Sequence, residues 1–408
     1  MSIVAFSSCS KKSKPDPTPQ SNDLITSLSV STGSYATSVT ITGKGFSTVP
    51  ADQHVFFNGK EATITASTTT QLTTSVPLGA GTGSVSIKFK DGVTISGPVF
   101  TYLGTLLVNT IAGSSADGYA DGAGTAALFS GPMGIAIDKT GNIFVCDVRN
   151  NRIRKITPDG VVSTFAGSGL AVSTDGTGTA ASIAFPQFIA IDNAGNLFVT
   201  EGDQNHRIRK ITTAGVVSTY AGSYTGYQDG PANTAKFGSV FGITVDKDGN
   251  VYVCDGGTSH VRKITPDGMV STPWKNVINF GFPFEILTDH SNNLYISNLN
   301  DETVRKITPA GVMTYVANSD GTPNFKGLQG MTIDANDVLY ISDNSVIKKA
   351  VNDKVVSNFA GNVSLELPST GPAANVSFLS PQGIAVDASG NVYVAQGLVN
   401  IISKISTQ

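Results

Sequence analysis

The segment CDVRNNRIRKI, Cys146 to Ile156, sets a thiol, a carboxylate, two amides and a run of cations within eleven residues. That composition suits a reactive site or a cation site, and it also suits a well-satisfied turn. Its counterparts elsewhere in the chain narrow the choice. Asp147 aligns with Glu201, Asp255, Asn298, Asp343 and Gln396, a set of acceptors that could ring a central channel and hold Ca²⁺, which takes several oxygens. Turn formation is the simpler account, because Asp and Asn side chains accept from backbone N–H groups two residues on, so no metal ligand is assigned, and Asp147, Glu201, Asp255, Asn298 and Asp343 stand as candidate ligand-binding residues of the loop-rich face. Cys146 aligns with Thr200, Cys254, Ser297, Ser342 and Ala395, which share only small size. Cys146 and Cys254 are a whole repeat apart, beyond the roughly 7 Å Cα limit of a disulfide, and are expected to be free and buried.

In RIRKI, Ile153 faces one way and Arg152 and Arg154 the other. Every Arg of the chain lies in or just before this segment of the first four copies. Their stems are expected to cover apolar surface while their heads pair with turn carboxylates; the alternative is a partial ring of cations for an anionic ligand such as an acidic sugar. Tyr119, Tyr224, Tyr227 and Trp274 lie in long connections, where flat aromatic faces could stack on sugar rings. Phe129, Phe185, Phe237 and Phe378 are expected to pin those connections down. His206 and His260 precede equivalent strands of adjacent units, His290 belongs to a turn on the far face, and His54 stands alone. No third ligand completes a zinc set, and no Gly-x-Ser-x-Gly elbow or phosphate loop is present. No catalytic residue is assigned.

The elements that position these residues come from a repeat. GIAIDKTGNIFVCDVRNNRIRKITPDGVVSTFAGS, residues 134–168, recurs in six copies whose leading carboxylates, Asp138, Asp192, Asp246, Asp289, Asp334 and Asp387, are 54, 54, 43, 45 and 53 residues apart. Each copy supplies four strands, joined by Asp-x-x-Gly-Asn and Pro-Asp-Gly turns. Apolar runs such as NIFV and NVYV suit inner strands buried on both faces. The sixth copy lacks its fourth strand, and LLVNTIAGS (106–114) matches GVVSTFAGS (160–168), so the ring is expected to close through that N-terminal strand. The connection between the second and third strands and the connection between units emerge on one face of the disc, and long ordered loops on a rigid scaffold are the default functional surface. This pattern resembles the NHL-repeat family and implies a six-bladed β-propeller over 104–408. Some related propellers are lactonases or lyases that hold a metal near the channel, so the resemblance leaves a metal-dependent hydrolase or lyase as an alternative.

Residues 24–103 read as about seven short strands separated by turns such as Asn58-Gly59 and Asp91-Gly92. VTITGKGF, VFFNGKEATI and TSVPLGAGTGSVSI resemble an IPT/TIG domain, an immunoglobulin-like sandwich that serves as spacer or interaction module. The fold class is therefore all-β, sandwich plus propeller. In residues 1–23 a short apolar stretch precedes Ser7-Ser8-Cys9 and a Lys/Pro/Ser-rich run. This is similar to a bacterial lipoprotein signal with Cys9 as the lipidated residue and the remainder as a tether. With a net charge of −3 and 14% charged residues, no broad basic surface is available for nucleic acid. The architecture resembles Bacteroidetes-type surface lipoproteins. It implies a monomer in the outer membrane, on its cell-surface or periplasmic side, held by lipid alone and noncatalytic. Its partner would be an extracellular glycan, or else an envelope protein for which the propeller is a scaffold.

Overall fold

The computed structural model describes residues 24–202, 206–275, 277–318, 320–362 and 370–408. Cys9 and the expected tether therefore lie outside the described residues. The chain forms two compact units, one reaching Thr105 and the other spanning Leu106–Thr407. No α-helix occurs among the described residues, and none of their helical turns is long and apolar enough to cross a membrane.

The first unit is a sandwich of a four-stranded and a five-stranded sheet. Alternation places Val39 and Ile41 of Ser38–Lys44, and Val55 and Phe57 of Gln53–Phe57, in the interior. Phe57 and Phe100 meet edge to face with centroids 5.1 Å apart. Asn58 and Gly59, both at positive φ, make the tight turn from Gln53–Phe57 into Lys60–Ala62. His54 is a surface residue whose Nδ1 lies 2.6 Å from Glu61 Oε1 in an exposed pair.

The second unit contains six antiparallel sheets among the described residues, one per repeat. The first strands, Pro132–Ile137, Pro186–Ile191, Val240–Val245, Pro283–Thr288, Leu328–Ile333 and Pro381–Val386, pack against one another in sequence order, and the last packs on the first. Every second strand, from Ile143–Asp147 to Val392–Gln396, is buried almost throughout. The ring closes where Leu106–Gly113 pairs antiparallel with Ile401–Thr407 and supplies the fourth strand of the sixth unit.

Small residues on the second strand have a reason beyond size. Thr200 Oγ1, Ser297 Oγ and Ser342 Oγ accept from the backbone N–H of Phe188, Glu285 and Gly330 at 3.1, 2.9 and 2.7 Å. Cys146 and Cys254 hold the same place as free buried thiols, and burial pushes both well above the usual thiol range.

The long connections do more than decorate one face. Gly122–Ala123, Gly176–Thr177, Gly230–Pro231 and Gly371–Pro372 each add a two-residue strand to the outer edge of the following sheet. They cover edges that would otherwise be open to pairing. The shorter connections 272–282 and 317–327 add no such strand among the described residues, so units 4 and 5 remain four-stranded.

Candidate functional site

The six acceptors at the ends of the second strands do not form an open ring. In units 1 to 3 the acid and its Arg are both fully buried and joined: Arg154–Asp147 at 2.8 Å, Arg209–Glu201 at 2.8 Å and Arg262–Asp255 at 3.1 Å. The second guanidinium nitrogen reaches a loop aspartate, Asp121, Asp175 or Asp229, at 2.6, 2.7 and 2.6 Å. The incoming loop also donates to each acid: Ser130 N–H to the other oxygen of Asp147 at 2.8 Å and Gly238 N–H to the other oxygen of Asp255 at 2.9 Å, while Glu201 Oε1 accepts from Ala184 N–H at 3.0 Å as well as from Arg209 and its Oε2 accepts from Ser173 Oγ at 2.7 Å. Burial pushes the Asp147 and Glu201 carboxyls upward, against the pull of the guanidinium and N–H donors.

The expectation of ligand-facing oxygens at Asp147, Glu201 and Asp255 is thereby corrected, because those oxygens are occupied by clamps that bind the connection to the sheet. Asp343 is clamped the same way by Lys348 at 2.6 Å and by Lys326 N–H at 2.7 Å. Asn298 accepts from Phe282 N–H and, two residues on, from Asn300 N–H in an Asx turn. In unit 6 the pair is neutral, Gln396 Nε2 donating to Ser403 Oγ at 2.8 Å. No group of three or more His, Cys, Asp or Glu converges on a metal-sized point among the described residues.

The four aromatic candidates divide. Trp274 is half-buried and stacks on Tyr252 with centroids 6.5 Å apart. It occupies the role that Phe165, Tyr220 and Phe359 play against Phe144, Phe198 and Tyr340. Trp274 is therefore a packing residue of its sheet, which removes the reason for reading it as a sugar platform. Tyr224 is 71% exposed. Tyr119 is exposed on one side, lies over the Arg152 guanidinium at 3.9 Å, and is hydrogen-bonded through its hydroxyl to Thr164 at 2.8 Å. Tyr227 stacks on the His260 ring at 5.0 Å and lies 4.7 Å from Lys275 Nζ. Phe129, Phe237 and Phe378 are buried pins, but Phe185 is 41% exposed at φ 46° and Ile183 fills the buried place instead.

Tyr227 borders a concavity of about 460 Å³ lined by Ser259, His260, Lys275, Val277, Ile278 and Asn279. The difference between units 1 and 3 explains it. In unit 1 the equivalent of His260 is Arg152, whose guanidinium donates to Asn150 and Ser168 carbonyls at 2.8 and 2.9 Å. The connection covers it so closely that a Cβ on Gly169 would stand 2.5 Å from Arg152. Connection 272–282 is shorter and turns back at once, Ile278 N–H donating to Trp274 C=O at 3.1 Å. The surface beside His260 stays open.

A second concavity of about 340 Å³ runs along the axis of the ring, lined by the first strands. Its one ionisable lining residue is Glu285, at a position held by Gly134, Phe188, Gly242, Gly330 and Gly383 in the other units. The glycines allow close approach of neighbouring first strands; a Cβ on Gly242 would lie 2.6 Å from Glu285 Cα. Among the described residues Glu285 accepts only from Ile286 N–H, and burial pushes its carboxyl up to about 8. The aspartates at the far mouth are turn formers: Asp138 accepts from Thr140 N–H, Asn142 N–H and Asn142 Nδ2 at 2.8, 2.9 and 2.8 Å. His290 pairs there with Asp337 at 2.7 Å.

Sequence reasoning missed Asp121, Asp175, Asp229 and Glu285. The loop aspartates had a signal, an Asp-Gly standing 33 or 34 residues before each clamping Arg. Glu285 had one too, as the single carboxylate at a position otherwise held by Gly or Phe.

Comparison with known proteins agrees with this architecture. Residues 24–102 match the IPT/TIG domain model and residues 129–156 the NHL repeat model. A solved structure described as an auxiliary nutrient binding protein from Bacteroides thetaiotaomicron is similar over 96% of this chain and 99% of its own, with a TM-score of 0.71 and 16% identity. A gluconolactonase from Xanthomonas campestris is similar over 69% of this chain and 87% of its own, with a TM-score of 0.50 and 13% identity. Teneurin-m of Drosophila melanogaster is 27% identical over 137 residues, 29% of this chain and 5% of that protein, so the match spans a small part of that relative.

Proposed function

We propose that the propeller captures an extracellular carbohydrate on its loop-rich face, with the IPT/TIG domain as spacer and a lipid on Cys9 holding the chain at the outer membrane. The observation that carries this reading is the display of exposed Tyr119 and Tyr224 and half-buried Tyr227 on connections fixed by buried carboxylate–guanidinium clamps. Aromatic faces fixed before the ligand arrives spare the ordering cost of binding. The likeness to a Bacteroides protein described as nutrient binding supports the same direction. Glycan-array binding should be retained in Trp274→Ala and lost in Tyr227→Ala or in a Tyr119→Ala/Tyr224→Ala double variant. Binding that ignores all three tyrosines would remove the reading. Palmitate labelling that vanishes in Cys9→Ala tests the anchor.

One observation favours a second reading. Glu285 is an isolated carboxyl facing a channel, in a fold shared with a gluconolactonase. A channel hydrolase would turn over lactones and lose that turnover in Glu285→Gln.

A further inference from the structure

We infer that the concavity between units 3 and 4 is an anion subsite that selects glycans carrying a carboxylate, such as uronic-acid oligomers. This inference rests on the carbohydrate reading above and makes it specific. The Lys275 ammonium and the His260 imidazole stand on its wall. Among the described residues neither has a carboxylate within salt-bridge distance, whereas the buried Arg154, Arg209 and Arg262 each hold two. His260 Nδ1 is shielded from solvent and without a hydrogen-bond partner. A buried polar nitrogen without a partner is costly unless a ligand or water completes it. The Arg at the same place in unit 1 is covered by its connection, so the open surface at His260 and Lys275 follows from the short connection 272–282.

The size and walls of the concavity argue for a sugar over an acidic peptide. About 460 Å³ falls within the roughly 300–1,000 Å³ of small-molecule sites. The exposed Val277 offers apolar surface beside Lys275 and His260, and the Tyr227 ring, stacked on His260 and 4.7 Å from Lys275 Nζ, holds both side chains in place. A pyranose carboxylate could then meet Lys275 and His260 while its ring lies on that surface, a charge-assisted contact in a partly dry setting.

Titration calorimetry of the full chain with oligogalacturonate, its fully methyl-esterified counterpart and oligo-aspartate tests the inference. Oligogalacturonate should bind best, with affinity falling about tenfold in Lys275→Ala and again in His260→Gln, the scale of one charge-assisted contact each. Arg149→Ala, an exposed-side cation outside the concavity, should leave it unchanged. Equal binding of acid and ester, or binding indifferent to Lys275 and His260, overturns the anion subsite while leaving carbohydrate capture standing. Equal binding of oligo-aspartate overturns the sugar assignment. Glycans that fail to bind in any form overturn both readings.

Discussion

Units 1 to 3 and unit 4 follow the same four-strand plan, yet they solve the same local problem differently. In the first three, an Arg at the middle of the third strand is sealed between two carboxylates, and a long connection is tied across it. In unit 4 the Arg is Arg305, the inner acid is replaced by neutral Asn298, and the remaining pair is with part-exposed Asp301 at 2.5 Å. The connection leading into unit 4 is short and adds no rim strand. A buried ion pair is weak evidence of net stability but strongly fixes geometry once formed. The contrast therefore separates a sector built to hold its loops from a sector built open.

Breaking a clamp should give the largest effect. Arg209→Met leaves Glu201 buried without its cation and should cost about 3–5 kcal/mol in denaturant unfolding of the propeller. Arg305→Met should cost only about 1 kcal/mol, because Asn298 is neutral and Asp301 can reach water. Equal losses at both positions would erase the distinction. Replacing the whole pair, Glu201→Gln with Arg209→Met, should recover much of the loss, since no buried charge is then unpaired.

Trp274→Ala comes next, at about 2–3 kcal/mol, below the usual cost for a fully buried Trp because the ring is only half-buried. Glycan binding by the folded variant should be unchanged. A stable Trp274→Ala that no longer binds would return the residue to the ligand surface.

Glu285 bears on stability through pH. Its folded value of about 8 exceeds the ordinary glutamate value of 4.5, so the folded state binds more protons between these limits. Stability should fall as pH rises from 4.5 through 8, with a slope of at most about 1.4 kcal/mol per pH unit from this group. Glu285→Gln should remove that slope and stabilise the protein above pH 8; unfolding midpoints across this window measure both. The smallest effect should come from Tyr119→Ala, about 0.5–1 kcal/mol for the lost contact with Arg152.

Much of this fold is legible in the chain because strand alternation, turn residues and a six-fold repeat state it redundantly. Even the closing strand is visible, since LLVNTIAGS carries the pattern of a fourth strand. The site is less legible because its contacts join distant residues. Asp147 reads as a surface acceptor until Ser130 and Asp121 are seen to meet it and Arg154. Trp274 reads as a loop aromatic because its strand ends at Ser271, yet the ring continues that strand's packing against Tyr252. Phe185 sits two residues past the buried position that Ile183 takes, a shift that composition alone does not reveal. The opening beside His260 depends on the length of a connection, and length says only that something is missing, not what it uncovers.

Hydrogen exchange on the free protein, comparing wild type with Arg209→Met, tests the clamp account most directly. Exchange should accelerate at Ala184 N–H and through the 173–184 segment, which Glu201 and Arg209 hold. The equivalent connections at 119–130 and 227–238 should keep their protection. Unchanged protection at Ala184, or a uniform loss across all three connections, would contradict the claim that each buried pair fixes its own loop.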